Sequence, residues 1–391
     1  MKLTLFSTKS YDTHYFTTTL TALQPTIPEP ITLTAHPFPL TLSTVPLARN
    51  STAICVFVND SLPAPVLQAL WEVGVRAILL RCAGFNNIDL PAAEALGFFV
   101  ANVPSYSPEA VAEFAVALLQ TLNRKTHRAY NRVREGNFNL EGFLGMTLHQ
   151  KKIGVVGLGR IGMAFARIMR GFGCDVVGFD PVRQEGFARQ QGQGQLGTGG
   201  GEAEAGAQAG AQAGAEGPAE EEDEFITQLA GRYVGTVADL LAQSDIVSLH
   251  CPLTEATKHI INAASLRGLK RGAILVNTSR GGLIHTRDAI GALKAGTLGG
   301  LALDVYEQEG DLFYNDHSAE IIHDDTLMRL MTFPNVLVAG HQAFFTQEAL
   351  GEIAQVTLSN LADFVGKRPC RNSLVREGHL FVEEDKQPVR L

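Results

Sequence analysis

The 391 residues are 45% hydrophobic, enough apolar content for two domains with cores of their own. The opening MKLTLFSTKSYD lacks the apolar run and small-residue cleavage site of a secretion signal, and no run of about 18 apolar residues follows, so a cytoplasmic protein that does not engage a membrane is predicted. The net charge of −8 is matched by eight acidic residues between Gly192 and Glu224, where no basic residue stands; the neutral remainder gives no electrostatic case for nucleic-acid binding.

Lys2–Phe6 and Ala53–Val58 read as buried strands on either side of Gln24–Asn50, a Pro/Thr/Leu-rich stretch that fits short strands and loop equally well. Ala64–Val73 has helical spacing and Ala77–Leu80 reads as the next strand. A long helical pattern runs from Pro108 to about Glu135, with Ser107 suited to the N-cap and Pro108 to the first turn. Strand Lys152–Gly157, helix Ile161–Gly171 and strand Asp175–Phe179 follow. From about Gln190 to Glu224 the chain is Gly, Ala, Gln and Glu in near-repeats, too poor in apolar residues to offset its ordering entropy; a disordered insertion within a domain is expected. Short apolar runs at Asp245–His250, Ala273–Asn277, Leu301–Asp304 and Asn335–Ala339 alternate with helical stretches, the pattern of a doubly wound parallel α/β sheet. Cys55, Cys82, Cys174, Cys251 and Cys370 form no CxxC or other metal-type pair, so reduced thiols and no metal site are expected.

The strongest local motif is Val155-Val156-Gly157-Leu158-Gly159-Arg160-Ile161-Gly162, a strand passing through GxGxxG into a helix. Gly157 permits the tight turn, Gly159 lets the backbone approach a pyrophosphate and Gly162 lets helix and strand pack closely. The helix start offers free amides and a positive dipole end to phosphate. Asp180 ends the next strand, where a carboxylate holds ribose hydroxyls and repels a 2′-phosphate; this favours NAD over NADP, although Arg183 lies close.

Three charged residues follow three later strands. Arg280 comes after ILVNTS, Glu309 just past LALDVYE, and His341 directly after VLVAG. The carboxyl ends of parallel strands face the ligand crevice, so residues far apart in sequence are expected at one edge. Arg280 can grip a carboxylate with its planar fork. His341 suits proton donation to a carbonyl, and a carboxylate at Glu309 would hold the imidazole and favour its charged form.

The segments VNTSRGGLI, LALDVYEQEGDLF and VLVAGHQAFFT resemble the signatures of the D-2-hydroxyacid dehydrogenase family. RCAGFNNID (81–89), VPSYSPEAVAE (103–113) and HCPLT (250–254) resemble its D-lactate dehydrogenase branch. The resemblance implies a Rossmann-type NAD domain at 105–344, inserted in a flavodoxin-like substrate domain formed by 1–104 and 345–391. It implies Arg280, Glu309 and His341 as catalytic residues, with Glu309 chosen over the nearer Glu307. Gly157, Gly159, Arg160, Ile161, Gly162, Asp180, Cys251, Pro252, Thr257, Thr278, Ser279, Arg280 and Asp304 match cofactor contacts. Ala83, Gly84, Tyr106, Arg280 and His341 match substrate contacts.

The implied activity is reversible reduction of pyruvate to D-lactate by a homodimer joined through the Pro108–Glu135 helix. A sister activity on a bulkier 2-keto acid is the alternative, since Phe85, Tyr106, Phe344 and Phe345 suit a small apolar pocket or plain core equally well. The family's NADH-binding corepressors carry a pocket tryptophan, whereas the sole tryptophan here, Trp71, lies in an early helix away from the motifs.

Overall fold

The computed structural model describes residues 1–183, 223–310 and 312–375. They form two compact units. The first comprises Met1–Phe114, Asp304–Asp324 and the described part of Val338–Leu391; the second comprises the described part of Ala115–Leu303 together with Asp325–Leu337. Residues 105–114, 304–324 and 338–344, expected with the cofactor domain, thus cluster with the first unit. Hydrogen bonds tie these segments to one another and to helix Gln347–Val365. Asp304 holds the Gln342 and Ala343 amides, the Tyr306 hydroxyl meets Asp324, and the Ser107 amide donates to Glu352.

The first unit is built on a five-stranded sheet of order β2-β1-β3-β4-β5. Its strands are β1 (Lys2–Leu5), β2 (Thr32–Ala35), β3 (Ala53–Val56), β4 (Ala77–Leu80) and β5 (Phe99–Ala101). All four pairings are parallel. This is the flavodoxin-like order. Side-chain alternation splits the core between the two faces. Ile54, Val56, Ile78, Leu80 and Val100 join one cluster, and Leu3, Leu5, Cys55, Leu79 and Phe99 the other.

The ambiguous Gln24–Asn50 stretch supplies edge strand β2 and two short 3-10 turns. Helix Ser10–Leu23 has no counterpart in the sequence reading. Five threonines weaken its intrinsic preference, and only Asp12, Phe16 and Leu20 are buried along it. Packing against helix Gln347–Val365 supplies what propensity does not.

The second unit carries a seven-stranded sheet of order β12-β11-β10-β9-β6-β7-β8. The strands are β6 (Lys152–Val156), β7 (Asp175–Phe179), β8 (Arg232–Tyr233), β9 (Ile246–Leu249), β10 (Ala273–Asn277), β11 (Leu298–Leu303) and β12 (Val336–Val338). The order reverses between β6 and β9, the switch point where Rossmann sheets hold dinucleotides. β11 starts at Leu298, before the expected Leu301, because a register shift opposite Ala273/Ile274 lets it begin early.

The single helix expected over Pro108–Glu135 is two, Pro108–Arg124 and Thr126–Arg134, with Lys125 left-handed at φ 53° between them. The apolar stripe ends at Leu122, and no residue of Thr126–Arg134 is buried. Local anchors take over at the break: Asn123 exchanges two hydrogen bonds with the Met146 backbone, and Lys125 Nζ donates to the Leu144 carbonyl.

The low-complexity insertion lies outside the described residues as far as 222. Its last two residues correct the expected boundary. Asp223 caps helix Glu224–Thr227, and Glu224 takes both prongs of Arg167 at 2.7 and 2.8 Å. All five cysteines are buried, and none takes part in a disulfide. Among the described residues no helix is long and apolar enough to cross a membrane.

Candidate active site

In the second unit the glycine loop leaves β6 as predicted. Gly157 sits at φ +90°, and a Cβ there would lie 2.7 Å from the Cys251 nitrogen. A Cβ on Gly162 would stand 2.0 Å from the Gly157 carbonyl oxygen, so helix Arg160–Gly171 approaches the loop only because that residue is bare. No side chain caps this helix, and among the described residues no acceptor takes the Gly159, Arg160 or Ile161 amides. These donors suit phosphate oxygens.

Asp180 is buried at the end of β7 and braces the loop. Its Oδ2 accepts the Leu158 amide at 3.0 Å, while Oδ1 accepts the Val182 and Arg183 amides. The Arg183 guanidinium lies 3.9 Å from Asp223, so the cation nearest to Asp180 in sequence has a partner beyond the insertion.

Beyond β9 and β10 the expected contacts Cys251, Thr278 and Ser279 are buried, Pro252, Thr257 and Arg280 are half-buried, and several are committed to structure. Burial pushes the Cys251 thiol up to about 12, leaving it neutral. The Pro252 carbonyl accepts the Thr257 hydroxyl at 2.6 Å, and Ser279 Oγ donates to the Cys251 carbonyl at 2.7 Å. Thr278 Oγ1 is buried without a hydrogen-bond partner. An orphaned hydroxyl at a strand end, beside free amides at a helix start, fits a polar ligand such as a dinucleotide. Arg280 is half-buried, with Nη1 donating to the Ser279 carbonyl and its own carbonyl fixed by Asn277 Nδ2.

In the first unit Glu309 and His341 are joined. His341 Nδ1 and Glu309 Oε1 are 2.8 Å apart, and the other carboxylate oxygen accepts the Tyr306 amide at 2.8 Å. His341 is held in the left-handed region, φ 58°. The two residues after it are clamped by Asp304, fully buried, whose oxygens accept the Gln342 and Ala343 amides at 2.8 Å each. Asp304, expected as a cofactor contact, is therefore also the brace of the histidine segment. Burial pushes its carboxyl up to about 6, against the pull of those two amides and of His341.

The Ala83–Gly84 loop follows β4. Among the described residues neither amide has an acceptor, whereas the Ala83 carbonyl is held by Asn102 Nδ2 at 2.7 Å. The loop is underpinned by Arg81, which is 2% exposed, pairs with Asp12 at 3.3 Å and donates to the Ser7 carbonyl. Tyr106 is half-buried, 6.4 Å from the Phe344 ring. Of the other aromatics proposed for a pocket, Phe85 packs on the sheet core and Phe345 is 50% exposed against Tyr11.

Asp12, Phe57 and Tyr314 were missed by sequence reasoning. Asp12 sits in the unforeseen helix and gives no local signal; Tyr314, five residues past Glu309, stands in an aromatic run that could have been weighed.

Residues 116–197 and 191–343 match the model of the D-isomer specific 2-hydroxyacid dehydrogenase NAD-binding domain. The chain belongs to this family. It is 63% identical to 2-hydroxyacid dehydrogenase A of Aspergillus oryzae over all of both chains, and 54% identical to a D-lactate dehydrogenase of Curvularia clavata over 96% of each. The apo structure of D-lactate dehydrogenase from Escherichia coli superposes with a TM-score of 0.77 at 40% identity, covering 96% of this chain and 100% of that one. This 2-hydroxyacid dehydrogenase is thus an NAD-dependent oxidoreductase acting on CH–OH groups, and the glycine loop, free amides and Thr278 fit that cofactor.

Asp180→Ala removes a charged acceptor and the brace on Leu158 together. Hydrogen bonds to charged groups contribute about 1.5–3 kcal/mol, so KM for NADH is expected to rise about 10- to 100-fold while discrimination against NADPH weakens. Steady-state kinetics with both cofactors checks this. Unchanged KM and discrimination would remove Asp180 from the cofactor site.

Proposed function

We propose that this dehydrogenase interconverts pyruvate and D-lactate, with His341 as acid/base, Glu309 as its partner and Arg280 as anchor of the substrate carboxylate. The observation that carries the reading is the 2.8 Å pair between His341 Nδ1 and Glu309 Oε1. It commits Nδ1 to the carboxylate and leaves Nε2 to hand a proton to a carbonyl oxygen. Bound NADH supplies the hydride that reduces the keto carbon. Arg280 and the Ala83 and Gly84 amides fix the carboxylate, so one face of the carbonyl is offered for reduction. Supporting a small substrate, the rings of Phe57, Tyr106, Tyr314 and Phe344 belong to one hydrophobic cluster that also holds Val103, Leu350 and Ile353. A relative at 54% identity is named a D-lactate dehydrogenase.

NADH oxidation across a panel of 2-keto acids, with chiral analysis of the product, tests the reading. Pyruvate is expected to give the highest kcat/KM, and D-lactate the product. A higher value for 2-ketoisocaproate or phenylpyruvate would favour the bulkier-substrate alternative. We further propose a cytoplasmic homodimer, supported by the apolar surface of Val133, Phe138, Leu140 and Leu144, which are 47–91% exposed. Sedimentation at micromolar concentration tests the dimer.

Asp304 gives a pH dependence. Above about 6 its ionised carboxylate offers an acceptor to each of the Gln342 and Ala343 amides. As pH falls through that value, one oxygen becomes a hydroxyl facing an N–H, the His341 segment loosens and kcat falls. The linkage sign is opposite for stability. A folded-state pKa raised above the ordinary carboxylate value means the folded protein binds the proton more readily, so this group's contribution to stability declines as pH rises from about 4 to 6. Asp304→Asn, with one acceptor and one donor at all pH, is expected to hold kcat low and remove this acid limb. A wild-type-like profile in that variant would show the brace to be dispensable.

A further inference from the structure

The first unit carries a solvent-open cleft of about 440 Å3, within the range of small-molecule sites. Leu40, Phe57, Asn59, Val66 and Tyr314 are among its lining residues, whereas neither His341 nor the Ala83–Gly84 loop borders it. Two rings stand between. Phe57 and Tyr314 meet edge to face at 5.0 Å; the Tyr314 ring also lies 5.6 Å from the His341 ring, and Phe57 lies 5.9 Å from Phe344. The proton donor and the cavity are therefore separated by the thickness of one aromatic pair.

The two rings are held differently. Phe57 is pinned, with the Arg81 guanidinium 4.8 Å from its ring and its amide on Asp60 Oδ2 at 2.8 Å. Tyr314 carries signs of a residue kept for its place and not its fit. Its backbone is left-handed at φ 68°, a conformation unfavourable to bulky residues. Its hydroxyl is buried with no hydrogen-bond partner. Burial and the neighbouring Glu309 raise the phenol's pKa, so the hydroxyl stays neutral beside the catalytic pair.

We propose that Tyr314 is the specificity-determining residue that restricts the enzyme to 2-keto acids with a small side chain, by walling off a ready-made space, lined by Leu40, Leu42 and Val66 as well as by polar Ser7 and Asn59, that branched or aromatic side chains would otherwise enter. The inference rests on the function proposed above. It predicts that removing one ring fuses the space beside His341 with the cavity behind it.

The test compares kcat/KM for phenylpyruvate and 2-ketoisocaproate with that for pyruvate in Tyr314→Gly, whose φ glycine adopts freely. Tyr314→Asn is the second variant, since asparagine is the next most tolerant of this region. A methylene-sized change in a pocket shifts discrimination about 10- to 200-fold, so the large-to-small ratio should rise at least about tenfold. Tyr314→Phe keeps the ring and should leave the ratio within about twofold on the same scale. Adding Leu42→Trp, at an exposed position on the cavity lining, should take back most of the gain.

An unchanged ratio in either folded small variant, or an equal rise in Tyr314→Phe, overturns the proposal. Wild-type turnover of pyruvate with no gain in the variants defeats the wall alone. If the wild type reduces no 2-keto acid, the underlying function falls and the wall with it.

Discussion

His341→Gln is expected to lower kcat for pyruvate reduction by about 10²- to 10⁴-fold, the usual contribution of a positioned general acid. Glutamine keeps polarity and approximate size but carries no proton to donate at neutral pH. NADH binding should change little, because the residues proposed to hold the cofactor are Gly157–Gly162 and Asp180. Glu309→Gln should cost less, about 10- to 10²-fold, since the amide oxygen can still accept from Nδ1 while the charge favouring imidazolium is gone. Glu307→Gln, at the more obvious acid, should leave kcat within about twofold, as most substitutions away from a site do. Rapid-mixing kinetics with NADH fluorescence separates chemistry from binding. A histidine variant retaining more than about a tenth of wild-type kcat would mean that another group supplies the proton.

Arg280→Lys is expected to reduce kcat/KM for pyruvate by about 10- to 10²-fold, with KM rising and kcat falling together. Lysine retains the charge, so a purely electrostatic role would survive. What it lacks is the planar pair of N–H donors that grips both carboxylate oxygens at once, and a carboxylate held by one prong can turn. The loss corresponds to about 1.5–3 kcal/mol for charge-assisted hydrogen bonding. Arg280→Gln should lose more, through the charge itself. If Arg280→Lys matched the wild type in kcat/KM, the anchor would have to be sought elsewhere, with the Ala83 and Gly84 amides the first place to look.

Much of this protein is legible in short windows of its sequence. The turn after β6 needs bare residues at 157 and 162, and those two glycines are visible as letters. Parallel strands must be buried on both faces, so they appear as apolar runs, and the residue after each run is by construction near a strand's carboxyl end. That is how Arg280, Glu309 and His341 could be named, and why the choice of Glu309 over Glu307 needed a family resemblance: one acid is nearer the strand, and nothing local says which reaches the imidazole. The structure pairs His341 with Glu309 across 32 positions of chain.

Other features depend on partners that no window contains. Helix Ser10–Leu23 is too rich in threonine to announce itself and exists because helix Gln347–Val365 covers it. The Arg81–Asp12 pair beside the Ala83–Gly84 loop spans 69 positions, and neither residue reveals the other. The break at Lys125 interrupts a run of good helical residues where burial ends at Asn123, and no residue of Thr126–Arg134 is buried. Tyr314 becomes a wall only where Phe57 and His341 flank it and a cavity lies behind. Local backbone chemistry and hydrophobic period can be read from the residues themselves, whereas the pairing of distant side chains, and the cleft they border, comes into being only when the chain closes on itself.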